Sequence, residues 1–380
     1  MTMETLFTNA KIVTADEVVE GTVAVEDGRI KSIEPGNSQL PSVIDLEGDY
    51  LVPGLIEVHT DNLEGHIRPR PGVVWPMLPA LFTHDSVLAA AGITTVFDAL
   101  RIGDRSSDVA MEETVTAAIE GIEQAQDNDL LRSEHYVHLR CELATENVLS
   151  TFGRIKDAPL LRLVSLMDHT PGQRQFVDLA QFKNYYSGKY KMNDEELNAF
   201  IDSQQQEHLR YADKNRQALS GICNDQSIPL ASHDDATEDH IKEADSLGIT
   251  ISEFPTTLEA ARAAHDSGMA TVAGAPNVVR GRSHSGNVSA SELAEKGLLD
   301  SLSSDYAPIS LLHGAFCLHR RVGLTLPDAM AIVTKNPARM VALDDRGEIA
   351  PGLRADLVRV CDHKDMPVVR CVWREGVRVV

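Results

Sequence analysis

Short apolar runs separated by turns open the chain: Leu6–Val13, Val18–Val25 and, after Glu26-Asp27-Gly28, Arg29–Ile33. A matching set closes it, in Asp356–Val360, Pro367–Trp373 and Val377–Val380, with a turn at Arg374-Glu375-Gly376. Neither set buries much apolar surface alone, so the pattern predicts one small β-domain built from both chain ends, residues 1–52 and 345–380. Between them, over residues 53–344, apolar strands alternate with helical stretches, the sequence form of repeated βα units around a parallel sheet. The strands are expected at Leu55–Val58, Ile93–Asp98, Tyr136–Leu139, Leu163–Met167, Ile228–Ser232, Ile249–Glu253, Ala270–Ala273 and Leu299–Ser303. Eight strands suggest closure, and the fold class read from the pattern is α/β, a (β/α)8 TIM-like barrel. The stretch from about 170 to 227 is too long for one connection and holds the helix-rich Asp194–Ile222, so it is expected to be an insertion over the barrel mouth.

Composition narrows the function classes. A formal net charge of −22 over 380 residues opposes wrapping around nucleic acid or an anionic membrane, since either needs a basic face. An anionic small molecule stays compatible, because it needs only a local cluster of cations and backbone N–H groups inside a cleft. The N-terminus lacks a basic stretch followed by an apolar core, and no apolar run approaches a membrane span, so a cytoplasmic location is expected. The cysteines, Cys141, Cys223, Cys317, Cys361 and Cys371, are odd in number and without CxxC spacing; most are expected to be reduced and buried. No Gly-rich phosphate loop of the kinase type is present. The sequence sets no oligomeric state, a homo-oligomer included.

The chemistry lies at the strand ends. His59 and Asp61, Glu142, His169, His233 and Asp305 fall at or just after the C-terminal ends of predicted strands, where a barrel gathers its active site. His59 and Asp61, two apart on an extended segment, point the same way and can reach one ion. Three imidazoles and three carboxylates suit one or two divalent metal ions of zinc type, with a carboxylate able to bridge a pair. Core packing prefers apolar residues at such places, so the joint placement points to ligands. His135, His208, His240, His265 and His363 lack it and are read as surface or structural residues.

Val52-Pro53-Gly54-Leu55-Ile56-Glu57-Val58-His59 resembles the first barrel strand of the amidohydrolase superfamily. Thr334-Lys335-Asn336-Pro337-Ala338, with Gly347 through Val358, resembles that superfamily's return to the β-domain. The longer strings His59–Leu63, Pro69-Arg70-Pro71, Leu166–Phe176, Ala231–Thr237 and Gly274–Asn287 are similar, more narrowly, to its phosphonate-degrading diphosphatases. Two departures stand out: His59-Thr60-Asp61 replaces the usual His-x-His, and Glu142 stands where many members use a carboxylated lysine. His169 and His233 also follow the fourth and fifth expected strands, one earlier than is usual in the superfamily.

The resemblance implies a metal-dependent hydrolase whose substrate is a phosphorylated ribose phosphonate, attacked at the α-phosphorus of a 5-triphosphate with release of pyrophosphate. Asp305 would orient the attacking water and take its proton. The loop from Asn277 to Asn287 offers Asn277, Arg280, Arg282 and His284 to clamp phosphate oxygens, with Arg174 and Lys189 on the insertion as further candidates. Arg140, two before Glu142, either faces the site or braces the carboxylate. Two other readings stay open: hydrolysis of a cyclic amide or N-acyl amino acid on the same metals, and a non-catalytic protein that holds a phosphorylated ligand.

Overall fold

A computed structural model describes residues 4–103, 109–174, 193–281 and 287–380. Five strands lead the chain: β1 (Glu4–Val13), β2 (Val18–Glu26), β3 (Arg29–Pro35), β4 (Ile44–Asp45) and β5 (Tyr50–Pro53). Then come β6 (Leu55–Thr60), β7 (Ile93–Ile102), β8 (Glu134–Glu142), β9 (Leu161–Met167), β10 (Leu230–His233), β11 (Ile251–Glu253), β12 (Ala270–Gly274) and β13 (Ser301–Ser303). Three strands close the chain: β14 (Leu357–His363), β15 (Met366–Arg374) and β16 (Val377–Arg378).

Strands β6 to β13 pair in chain order, each parallel to the last, and a parallel bridge between Thr60 and Asp305 joins the start of the series to its end. All eight expected strands are present, shifted by a few residues at their ends. Ile56, Phe97, Tyr136, Leu163, Ile251 and Val272 fill the interior. A second apolar layer, including Leu100, Leu139, Val164, Ile122 and Leu219, lies between the strands and the surrounding helices.

The other sheet runs β16-β15-β14-β5-β1-β2-β3, with β4 also on β1, and is mostly antiparallel. The two chain ends meet where β5 pairs with β14, Leu357 opposite Pro53. Both expected turns are two-residue hairpin loops with positive φ, at Asp27-Gly28 and Glu375-Gly376, the geometry that matches strand twist. A Cβ on Gly376 would come within 2.9 Å of Val25, so only glycine fits there. All five cysteines are free, but only Cys141 and Cys223 are buried; the other three are half-buried, Cys317 and Cys371 at the edges of hydrophobic clusters.

The helix Asp194–Asp225 starts with a capping box, in which Asn193 accepts from the Glu196 N–H and Glu196 from the Asn193 N–H, both at 2.9 Å. Its buried Asn215 donates to the carbonyls of Leu143 and Thr145, each at 2.8 Å. Its His208 pairs with Asp168 at 2.7 Å, so the helix braces the segments that follow β8 and β9.

His135 is deeply buried rather than on the surface, in a cluster with His84 and Asp98. Its Nδ1 meets Asp98 at 2.7 Å and its Nε2 meets Asp85 at 3.4 Å, while His84 Nε2 meets the other Asp98 oxygen at 2.7 Å. Burial alone lowers the imidazole, but the two carboxylates overcome it and push His135 up to about 9. A pKa raised on folding stabilises the protein fully below the unfolded value near 6.5 and less and less as pH climbs through about 9. Unfolding free energy is therefore expected to drop by roughly 3 kcal/mol between those pH values. In Asp85→Asn the drop should be smaller, as denaturant unfolding across the same range will show. An equal slope in both proteins contradicts the assignment.

Candidate metal centre

The register between β6 and β7 slips by one between Glu57 and Thr60, a bulge at the mouth end of the first barrel strand. The slip lets both Val58 and His59 face the interior: Val58 packs in the core, and the His59 ring stands 4.9 Å from His138 and 5.6 Å from His233. The buried Glu57 carboxylate anchors the bulge by accepting the N–H groups of His59 at 2.7 Å and Ser304 at 2.6 Å. Burial pushes Glu57 up to about 7 against those hydrogen bonds.

Two groups of side chains at this end bring ligand atoms within 4.8 Å of one another: His59, His138 and Glu253, and His169, His233 and Asp234. His59 Nδ1 lies 3.0 Å from Glu253, and His138 Nδ1 lies 2.8 Å from the Val58 carbonyl. His138 Nε2 meets Ser165 Oγ, which in turn donates to Glu253. His233 Nδ1 meets Asp234 at 2.8 Å, and His169 Nδ1 meets Glu142 at 2.6 Å. Phe254 packs edge-on against His59 and tilted against His233, with centroids 5.0 and 5.2 Å apart.

Asp234, Phe254 and Asp305, each just beyond a barrel strand, have left-handed φ of 58°, 53° and 53°. For a bulky residue such as Phe254 that conformation is costly, and costly backbone of this kind collects at functional sites. Burial, then the nearby Arg140 charge, holds His59 well below the usual imidazole range, and burial takes His138 down to about 3. Burial also opposes charge on His233, but Asp234 outweighs it and raises that group. Neutral imidazole is the form that coordinates a metal.

The fit of a divalent ion rests on His233, whose buried Nε2 has no hydrogen-bond partner while its Nδ1 is fixed by Asp234. A carboxylate on one nitrogen with the other aimed into a cluster of donors is the arrangement of a ligating histidine.

The pattern of the amidohydrolase family matches residues 165–380. Alpha-D-ribose 1-methylphosphonate 5-triphosphate diphosphatase of Escherichia coli (strain K12) is 46% identical over 377 residues, covering 98% of this chain and 100% of that protein. The chain belongs to the amidohydrolase family. Among solved structures, N-acetyl-D-glucosamine-6-phosphate deacetylase from Mycobacterium smegmatis superposes with a TM-score of 0.63 at 19% identity, over 99% of this chain and 100% of that one. A D-hydantoinase does so with a TM-score of 0.55 at 14% identity, over 100% and 95%. These two likenesses speak for the fold.

In this amidohydrolase His169 follows the fourth barrel strand, His233 ends the fifth, and the sixth, β11, ends in Glu253. The structure gathers His59, His169 and His233 at the mouth, with Glu142 buried against His169. Asp61 stands apart. The chain leaves extended geometry there to cap the helix Asn62–Ile67, at φ −96° and ψ 11°, so strand alternation no longer aims Asp61 beside His59. Its carboxylate lies 3.7 Å from Arg140.

Asp305 is pinned through its backbone, whose carbonyl accepts from Thr60 Oγ1 at 2.9 Å and Asn62 Nδ2 at 3.0 Å. Arg174 is buried between the carboxylates of Asp235 and Glu243. Asn277 is half-buried in the short helix Ala275–Arg280, which Arg280 ends in an exposed position. Lys189, Arg282 and His284 lie outside the described residues. His138, Asp234 and Glu253 were missed by sequence reasoning, although Glu253 ends a predicted strand and Asp234 follows His233, the same positional signal as the others. A cavity of about 230 Å³ lined by Glu134, Arg354 and Arg374 lies near the start of β8, opposite the histidines, and Glu134 there is paired with Arg346 and Arg354.

Proposed function

We propose that the protein hydrolyses alpha-D-ribose 1-methylphosphonate 5-triphosphate to alpha-D-ribose 1-methylphosphonate 5-phosphate and pyrophosphate, in phosphonate catabolism. The observation that carries this reading is the 46% identity to the E. coli diphosphatase along that protein's whole length. The clustered histidines and carboxylates support it, because they offer a site for the divalent metal such chemistry uses, zinc in this reading, as one or two ions.

His59, Glu142, His169, His233 and Asp305 are proposed ligands, joined by Glu253 and, beside it, His138. Asp61 is proposed to meet the ion only through movement of its helix cap. When bound, the ion supplies Lewis-acid chemistry, activating water near neutral pH and screening phosphoryl charge. Asp305 orients the attacking water and accepts its proton as the bond from the α-phosphorus to the bridging oxygen breaks. Pyrophosphate leaves with that oxygen. Asn277, Arg280, Arg282, His284 and Lys189 are proposed to hold the departing phosphates.

Pyrophosphate release from the ribose triphosphate, measured beside turnover of a cyclic amide and an N-acyl amino acid, tests the substrate. Phosphate chemistry is expected and amide turnover is not. Amide hydrolysis alone overturns the assignment.

A further inference from the structure

Arg101 on β7 and Arg140 on β8 are direct partners in the parallel register. Each lies four residues beyond a ring of the barrel interior, Phe97 and Tyr136, whose centroids are 5.2 Å apart, so both side chains rise on the inner face toward the mouth. Each is also half-buried on a strand whose neighbouring positions are buried. Neighbouring parallel strands run about 4.8 Å apart, which places two guanidiniums side by side. Like charges paired across strands repel, so the arrangement is stable only beside a negative group.

The acids among the described residues compensate incompletely. Glu64 lies near both arginines, yet its Oε1 accepts the Arg101 backbone N–H, at 3.1 Å. Asp61 approaches Arg140 no closer than 3.7 Å, outside hydrogen-bond reach. The Arg140 Nε is buried with no partner, and neither guanidinium donates a hydrogen bond to another described residue. Arg140 also sits next to the metal-centre residues, since its charge acts on His59, His138, His233 and Asp234.

We infer that Arg101 and Arg140 together form an oxyanion subsite at the barrel mouth that grips a tetrahedral phosphorus group of the substrate by forked hydrogen bonds. Two guanidiniums carry ten N–H donors in planar forks, the geometry that phosphate and phosphonate oxygens match. The subsite faces the β12 side of the barrel, where Asn277 and Arg280 lie, across the mouth. A substrate with anions at both ends can therefore be held at both. This rests on the proposed phosphoryl chemistry, and either end of the substrate, methylphosphonate or pyrophosphate, has the required group.

The test measures binding of inorganic pyrophosphate and of methylphosphonate to metal-loaded protein by calorimetry, in wild type, Arg101→Ala and Arg101→Lys. Affinity for one probe is expected to fall about 10- to 100-fold in Arg101→Ala, with Arg101→Lys intermediate because it keeps charge but loses the fork. The probe affected identifies the end held. With the triphosphate, KM should rise by a similar factor while kcat changes little and metal content not at all. Equal binding of both probes by all three proteins, or no binding by wild type, overturns the subsite. Probe binding needs no turnover, so a wild type that binds anions but releases no pyrophosphate refutes the proposed reaction and leaves the subsite standing.

Discussion

Asp305→Asn is expected to retain metal and bind a non-hydrolysable triphosphate analogue normally while losing about 100- to 10,000-fold in turnover. Asn has nearly the shape of Asp and tolerates the left-handed backbone found at this position, φ 53°, so the bridge to Thr60 and the two hydrogen bonds to the Asp305 carbonyl survive. What the amide cannot do is accept a proton at neutral pH. Metal per chain, analogue affinity and turnover, measured on one preparation, separate the roles. Near-normal turnover removes Asp305 as the base, and metal loss preceding the defect makes coordination, rather than proton transfer, its main role.

His233→Ala is expected to lower metal content and turnover together, turnover by more than ~100-fold, with little change in the unfolding midpoint of the metal-free protein. His233 offers the one imidazole nitrogen among the described mouth residues that is buried, fixed from its far side and without a hydrogen-bond partner. Barrel stability comes mainly from buried aliphatic groups such as Ile56, Val58 and Leu163, which the change does not touch. Full metal occupancy in this variant, read by plasma mass spectrometry, contradicts the proposed centre.

Much of the barrel was legible because each of its strands lies on a short, largely apolar run, and such runs have few other places to go. The strand ends were less so. His59 reaches the site through a bulge, and a bulge has no period to read. Alternation likewise holds only while the chain stays extended, and at Asp61 it turns into a helix cap. His138 sits mid-strand, where a lone histidine resembles a satisfied core residue. Glu253 stood only as the last residue of an expected strand, and it is the sheet that carries it to within 3.0 Å of His59, 194 residues away. The pairing of Arg174 could not be read, since its partners Asp235 and Glu243 are distant in sequence and only the fold brings them together. The hairpin turns, by contrast, are local, and Asp27-Gly28 and Glu375-Gly376 announce themselves.

The central claim is hydrolysis at the α-phosphorus by a metal-loaded barrel. Its most direct test is phosphorus NMR of the ribose triphosphate reaction in water enriched with oxygen-18, run on metal-loaded and metal-stripped protein. The account predicts turnover only with metal, and the heavy oxygen in the ribose 5-phosphate product with none in pyrophosphate. Label in pyrophosphate, or equal turnover after the metal is removed, would contradict it.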